Sequence, residues 1–266
     1  MSLSPEDRAA LVQAMRRLER PSFAARLAAL AGKPVALLGR SLPAGASEIV
    51  SRAATLALER ALDVALFSLK DRRFVGGRIM HSVLASTSGA VGGALGLAAL
   101  PLELPISTAI MLRAIAAIAQ GEGEDLADRS TGLACLEVFA LGAPAQAVSA
   151  GEAGYFGVRG LLPRALAEGA DLLLGKGIVR EGAPIVTRVL APIVSRFGFV
   201  VSEKVAAQAV PVIGALGGAA VNLAFIQHFQ ELARGHFAVR RLERLYGPEL
   251  VRAEYENLNT CTPSEA

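Results

Sequence analysis

The sequence predicts an all-α fold: a single multi-helix domain of eight to eleven helices, with two Gly/Ala-rich apolar helical segments at its centre. Three observations predict it. Hydrophobic residues reach 53% although aromatics are only 5% and Trp is absent, so the apolar content is Ala, Leu, Val and Gly, which suits closely packed helices. Over residues 46–70 the apolar positions Ile49, Val50, Ala53, Leu56, Ala57, Ala61, Val64 and Ala65 recur at helical spacing, with Glu48, Arg52, Glu59, Arg60 and Asp63 between them. Two stretches without formal charge, 24 residues between Arg78 and Glu103 and 26 between Lys204 and Glu231, are long enough as helix to cross a hydrocarbon layer of ~30 Å.

The elements follow in order. Ser4-Pro5-Glu6-Asp7 is a helix start, with a Ser cap, Pro at the first helical position and acids at the positive end of the dipole. That helix should end near Arg20, before Pro21. A short helix over 22–31, a punctuated stretch with Pro34, Gly39, Pro43 and Gly45, and the amphipathic helix of 46–70 come next. In the first charge-free stretch Gly89, Gly92, Gly93 and Gly96 give GxxxG spacings, which bring helix backbones close. LPLELP should then turn the chain into an apolar helix of 106–120 that closes in GEGEDLAD. A helix from Gly132 to Leu141, interrupted by Glu137, ends at Gly142 and Pro144. An amphipathic helix of 155–174 should kink or split at Pro163, and Pro184 and Pro192 should break the next region into short pieces. The second charge-free stretch repeats the GxxxG spacing at Gly214 and Gly218. Residues 231–255 are again charged and amphipathic.

Charge is uneven. Residues 1–78 carry 13 Lys+Arg against 7 Asp+Glu (net +6), residues 79–153 carry 2 against 7 (net −5), and residues 154–266 carry 12 against 10 (net +2). Arg8, Arg16, Arg17, Arg20 and Arg26 are therefore expected either to lie near anionic headgroups, each contributing about 1 kcal/mol, or to form a solvated helix face. Nucleic acid is disfavoured, since stacking aromatics and a DNA-binding motif are both missing. Two cysteines, Cys135 and Cys261, form neither a disulfide framework nor a ligand cluster and imply a reducing compartment. The charged first twenty residues lack the apolar centre of a secretory leader.

Reaction chemistry finds little support. His81, His228 and His236 are the only histidines and fit neither HExxH nor CxxC spacing, so no metal and no cofactor is expected; His228 and His236 should be interfacial or surface residues. Ser149, in AVSAG, is a degenerate relative of the hydrolase elbow with no strand before it. GADLLLGKG from Gly169 has one residue too many for a phosphate loop, and Gly177 stands where Ser or Thr should be. Glu103, enclosed by Leu102, Leu104 and two prolines, is the most suggestive acid. It should cap the helix that follows or find a partner such as Arg113. Asn222, alone among apolar residues, should bond across helices. Tyr155 and Arg159, one turn apart, should clamp a headgroup or cover the surface together.

The order LPLELP, ISTAIMLRAIAAIAQGEGEDLAD, ACLEVFALG, GYFGVRGLL and VPVIGALGGAAVNLAFI resembles the EcsC protein family over about 45–260, which leaves 1–44 as a basic N-terminal helical segment. The resemblance rests on ordered helical blocks, not on a catalytic signature. It places Glu103, Gly123 to Asp125, Tyr155, Arg159, Pro211, Gly214 and Asn222 on the family's blocks, although Glu103 stands where many relatives carry Asp. It implies a context rather than an activity: the family takes its name from an operon encoding an ABC transporter. The expected function is therefore a non-enzymatic, membrane-associated or lipid-binding protein. It would work at the cytoplasmic face of the inner membrane or inserted in it, with lipid, a fatty-acyl ligand or a transporter as partner, and with Glu103, Arg113, Tyr155, Arg159 and Asn222 as contact residues. The rival is a soluble hydrolase using Ser149 or a His228/Glu231 site.

Overall fold

The computed structural model describes residues 2–19, 23, 45–67, 100–143, 154–160, 163, 182–209 and 218–261. The fold is all-α, with no strand among the described residues. Eight helices are described: α1 (Pro5–Leu18), α2 (Ala46–Phe67), α3 (Leu100–Gly121), α4 (Arg129–Leu141), α5 (Tyr155–Arg159), α6 (Gly182–Ala209), α7 (Gly218–Tyr246) and α8 (Pro248–Cys261). The predicted helix of 22–31, the glycines at 89, 92, 93 and 96, Gly214 and most of 155–174 lie outside the described residues.

Local chemistry sets the ends that can be seen. Ser4 accepts from the Asp7 backbone N–H and so caps α1, with Glu6 and Asp7 in the first turn and Arg16 and Arg17 in the last. Asp128 caps α4 by accepting from the Ser130 N–H. Gly247 takes φ +89°, a left-handed conformation that separates α7 from α8 without cost to a side chain.

Three expectations about proline are corrected. LPLELP is not a turn: α3 already runs through it, with Pro105 inside the helix. Pro192 likewise does not break its region, because α6 is continuous from Gly182 to Ala209. A proline removes one i→i−4 hydrogen bond and bends a helix; burial of Leu190, Ile193 and Phe197 around Pro192 offsets that loss. The third correction concerns 155–174, where the described helix stops at Arg159 with Gly160 as its cap.

Long α7 is the axis. Lys204 of α6 bonds Asn222, and Phe197, one to two turns earlier, stacks on Phe225 and Phe229, so α6 runs antiparallel to α7. Helix α4 does too: Glu137 lies by His236, and the Gly142 carbonyl just past its end lies by His228. Helix α3 is parallel to α7, since Glu103 at its start joins the Lys204–Asn222 end and Glu122 just past its end bonds Arg241. Helix α1 packs antiparallel to α7, from Asp7 at Arg241 to Arg17 at Glu231, and α2 lies across α3, α6 and α4.

A ring of Phe23, Phe139, Phe197, Phe225 and Phe229 fills the core, the rings meeting at 5.2–6.2 Å, mostly edge-on or tilted. Around it the helices approach through small residues, as the composition suggests. A Cβ on Gly132 would lie 2.6 Å from the Ala65 carbonyl oxygen of α2, a backbone atom that cannot step aside. Gly132→Ala is therefore expected to destabilise the fold by about 1–3 kcal/mol, read as a lower urea midpoint with unchanged m-value. An unchanged midpoint would mean that α2 and α4 are not in this close contact.

Candidate functional site: two buried polar clusters

Two clusters of polar side chains interrupt the apolar body, and four of the five contact residues expected from the sequence fall into them.

The first lies where α3, α6 and α7 meet. The Lys204 ammonium is 1% exposed; it donates to Glu103 Oε1 at 2.9 Å and to Asn222 Oδ1 at 3.1 Å and sits 5.0 Å from the centre of the Phe225 ring. Burial of a cation is costly unless it is paired and hydrogen-bonded, and all three requirements of an ammonium, two oxygens and a π face, are met here. The sequence singled out Glu103 and Asn222 correctly but gave Glu103 the wrong partner. Arg113 stands ten residues further along α3, roughly 15 Å by helical rise, and is half-buried with its guanidinium shifted down by desolvation. Lys204 was visible only as the last charge before an apolar run; nothing in sequence spacing says that it turns inward.

This end of the bundle is also its apolar end. Lys204 begins the second charge-free stretch and Glu103 closes the first, so both stretches enter the helical body at one place. Beside the cluster Leu102 is 77% exposed, Leu223 56% and Ile106 43%, all within one helical turn of Glu103 or Asn222.

The second cluster is on the other half of α7. His236 is fully buried; its Nδ1 is 3.0 Å from the Tyr155 hydroxyl, and its Nε2, which has no hydrogen-bond partner, is 3.8 Å from Glu137 Oε2. Arg159, one turn after Tyr155, pairs with Glu243 at 2.6 Å. Arg240 grips Glu124 with two bonds, 2.8 and 3.1 Å, and Arg244 joins the same carboxylate. Tyr155 stacks on Tyr255, whose hydroxyl donates to Glu19. Desolvation pushes the Glu137 carboxyl up to about 7 against the pull of Arg159 and Arg240. Desolvation, with the same two guanidiniums, drives His236 well below its ordinary value, so the imidazole is neutral.

Tyr155 and Arg159 therefore do not cover the surface together: they plug α5 into the body. His228 is buried as well, its Nε2 3.4 Å from the Gly142 carbonyl and its ring against Phe23 and Phe229. The expectation of surface histidines is corrected by the α7 stripe Phe225, Phe229, Leu232, His236, on which one of them lies. Glu231, in contrast, pairs with Arg17 and Arg234. Among the basic N-terminal residues Arg8 and Arg17 hold Glu254 and Glu231, Arg16 is exposed, and Arg20 and Arg26 lie outside the described residues. Burial raises the Cys135 thiol to about 12, which makes it inert. No group of three His, Cys, Asp or Glu among the described residues is placed to hold a metal ion.

The turn between α3 and α4 ties these observations to a family pattern: Gly123 has φ +85°, and the acids beside it receive Arg240, Arg241 and Arg244. The EcsC protein family model matches residues 9–242, beginning inside α1 and ending near the close of α7. The chain belongs to the EcsC protein family. No curated protein and no solved structure matches it. The matched span takes in both polar clusters of this EcsC protein, with the Glu103–Lys204–Asn222 contact at one end of α7 and the Tyr155–His236–Glu137 contact towards the other.

Proposed function

We propose that this EcsC protein is a non-enzymatic, lipid-associating helical protein, working at the cytoplasmic face of a membrane in support of ABC-type transport or other envelope processes. The observation that carries the reading is the shared end of the two charge-free stretches at Lys204, with Leu102, Ile106 and Leu223 exposed around it. The far end of α3 and α7 is the opposite in character, dense in ion pairs from Asp7, Glu122, Glu124, Arg240, Arg241 and Arg244. Such an axis, greasy at one end and charged at the other, suits a protein that meets a bilayer end-on.

Among the described residues one helix, α3, is long and apolar enough to cross a membrane, with a mean hydropathy of 1.6 in its most apolar window. Its stripe of Leu104, Met111, Leu112, Ile115 and Ala119 is buried in the core, which favours a core helix whose first turns touch lipid over a committed span. The hydrolase reading has less to stand on: His228 and Glu231 face different partners, and Ser149 lies outside the described residues.

Flotation of the purified chain with phosphatidylcholine vesicles, followed by native mass spectrometry for co-purified lipid, tests the proposal. The wild type is expected to float. Leu102→Glu with Leu223→Glu should lower the vesicle-bound fraction at least tenfold, since removing one leucine side chain from an apolar medium costs about 1.5–3 kcal/mol. Wild-type protein that stays with the soluble fraction and carries no lipid would overturn the reading.

A further inference from the structure

Lys204 holds an anion in a position that an amphiphile can reach, and we propose that its ammonium is the head-binding group of a fatty-acid site, with the Glu103 carboxylate as the exchangeable resident anion. The inference rests on the lipid-associating reading above and gives it a ligand class. The partners of the ion pair differ sharply in access: the Lys204 side chain is 1% exposed, whereas that of Glu103 is 28% exposed and lies on the outer side of the contact. Asn222 Oδ1 and the Phe225 ring hold the ammonium from within, so that it stays in place when the outer carboxylate swings away.

A fatty-acid carboxylate is chemically the same acceptor as the Glu103 side chain. It can accept the same N–H from Lys204, while the Asn222 amide nitrogen is available to donate to its second oxygen. The tail would then run over Leu102, Ile106 and Leu223, which the protein leaves exposed within a turn of the ion pair. Exchange of one carboxylate for another conserves charge around a buried cation, which is why an anionic head fits and a neutral one does not.

Binding of oleate below its micellar range to the full chain, measured by calorimetry beside oleyl alcohol as a neutral-headed control, tests the assignment. Oleate is expected to bind one per chain and at least tenfold more tightly than the alcohol. Glu103→Gln, which vacates the ammonium, should tighten oleate several-fold, and Lys204→Met should abolish the preference for oleate over the alcohol. If Lys204→Met fails to fold by circular dichroism, the Glu103→Gln arm decides alone: unchanged or weaker oleate binding there overturns the proposal. Equal affinity of the wild type for oleate and oleyl alcohol overturns it too. These failures are distinguishable from failure of lipid association, because wild-type flotation with phosphatidylcholine vesicles does not involve the head group that Lys204 reads.

Discussion

Arg196→Ala is expected to lower the unfolding free energy by about 4 kcal/mol, among the largest effects of any single substitution in this chain. The guanidinium is 2% exposed and lies inside the protein, where its Nε donates to the Ala140 carbonyl at 2.7 Å and its Nη2 to the Ala143 carbonyl at 2.9 Å. Both carbonyls sit at the C-terminal end of α4, where the last turn of any helix has acceptors without intrahelical donors and a partial negative charge. A planar fork from α6 satisfies two of them at once and brings α6 and α4 together at the level of the phenylalanine ring. Each charge-assisted bond contributes about 1.5–3 kcal/mol, and truncation also leaves desolvated carbonyls. Arg196→Lys should recover only part of the loss, because one ammonium on a shorter stem does not span two carbonyls 3 residues apart in sequence. Urea unfolding of the three proteins measures this. A loss below about 1 kcal/mol for Arg196→Ala would show that water or another side chain takes over both carbonyls.

Arg196 also marks the boundary between what was legible in the sequence and what was not. Helix starts were legible where a short-range rule decides them: Ser4 caps α1 three residues from its partner, and no distant contact can overrule that geometry. The amphipathic stripe of α2 was legible because burial on one side imposes a period. The prolines misled, because whether Pro192 ends a helix depends on what packs around it, and the packing of Leu190, Ile193 and Phe197 is a tertiary fact.

The clusters divide along the same line. Glu103, Asn222 and Glu137 were noticeable as lone polar residues in apolar surroundings, a local anomaly. Their partners were not noticeable, since Lys204 and Glu103 are 101 residues apart and His236 and Glu137 are 99 apart (236 − 137). His236 had a usable signal: it continues the spacing of Phe225, Phe229 and Leu232 along α7 and so belongs inside. Weighing it only as a metal ligand hid that reading. Arg113, placed by sequence beside Glu103, shows the converse error, in which closeness in sequence stands in for closeness in space.

Glu137→Gln should reshape the dependence of stability on pH. The folded-state value of Glu137 is about 7 against an ordinary 4.5, so its protonated form is the one the fold prefers. Its contribution is fully present below pH 4.5 and is lost as pH rises through 7. His236 acts in the opposite sense: its folded value is depressed, so its contribution is present above 6.5 and is lost as pH falls below that. In the wild type the two slopes oppose each other between pH 4.5 and 6.5. Folding there moves a proton from a histidine to a carboxylate instead of taking one up, and stability is flat as far as this pair is concerned. Gln imitates the neutral acid at every pH. The variant should therefore match the wild type near pH 4.5 apart from small packing differences, and exceed it by about 3 kcal/mol at pH 8.5, taking 1.4 kcal/mol per unit. Between those limits the variant should lose stability on acidification below 6.5, where the wild type does not, because the histidine slope is no longer opposed. The groups facing the pair are Tyr155 and Arg159 from α5 and Arg240 and Glu243 from α7; none of them titrates in this window, so the difference curve belongs to Glu137. Urea titrations at pH 5, 6, 7 and 8.5 give that curve. Two stability profiles that run parallel across the range would show that Glu137 is charged in the folded protein and that the Tyr155–His236–Glu137 contact does not hold a buried proton.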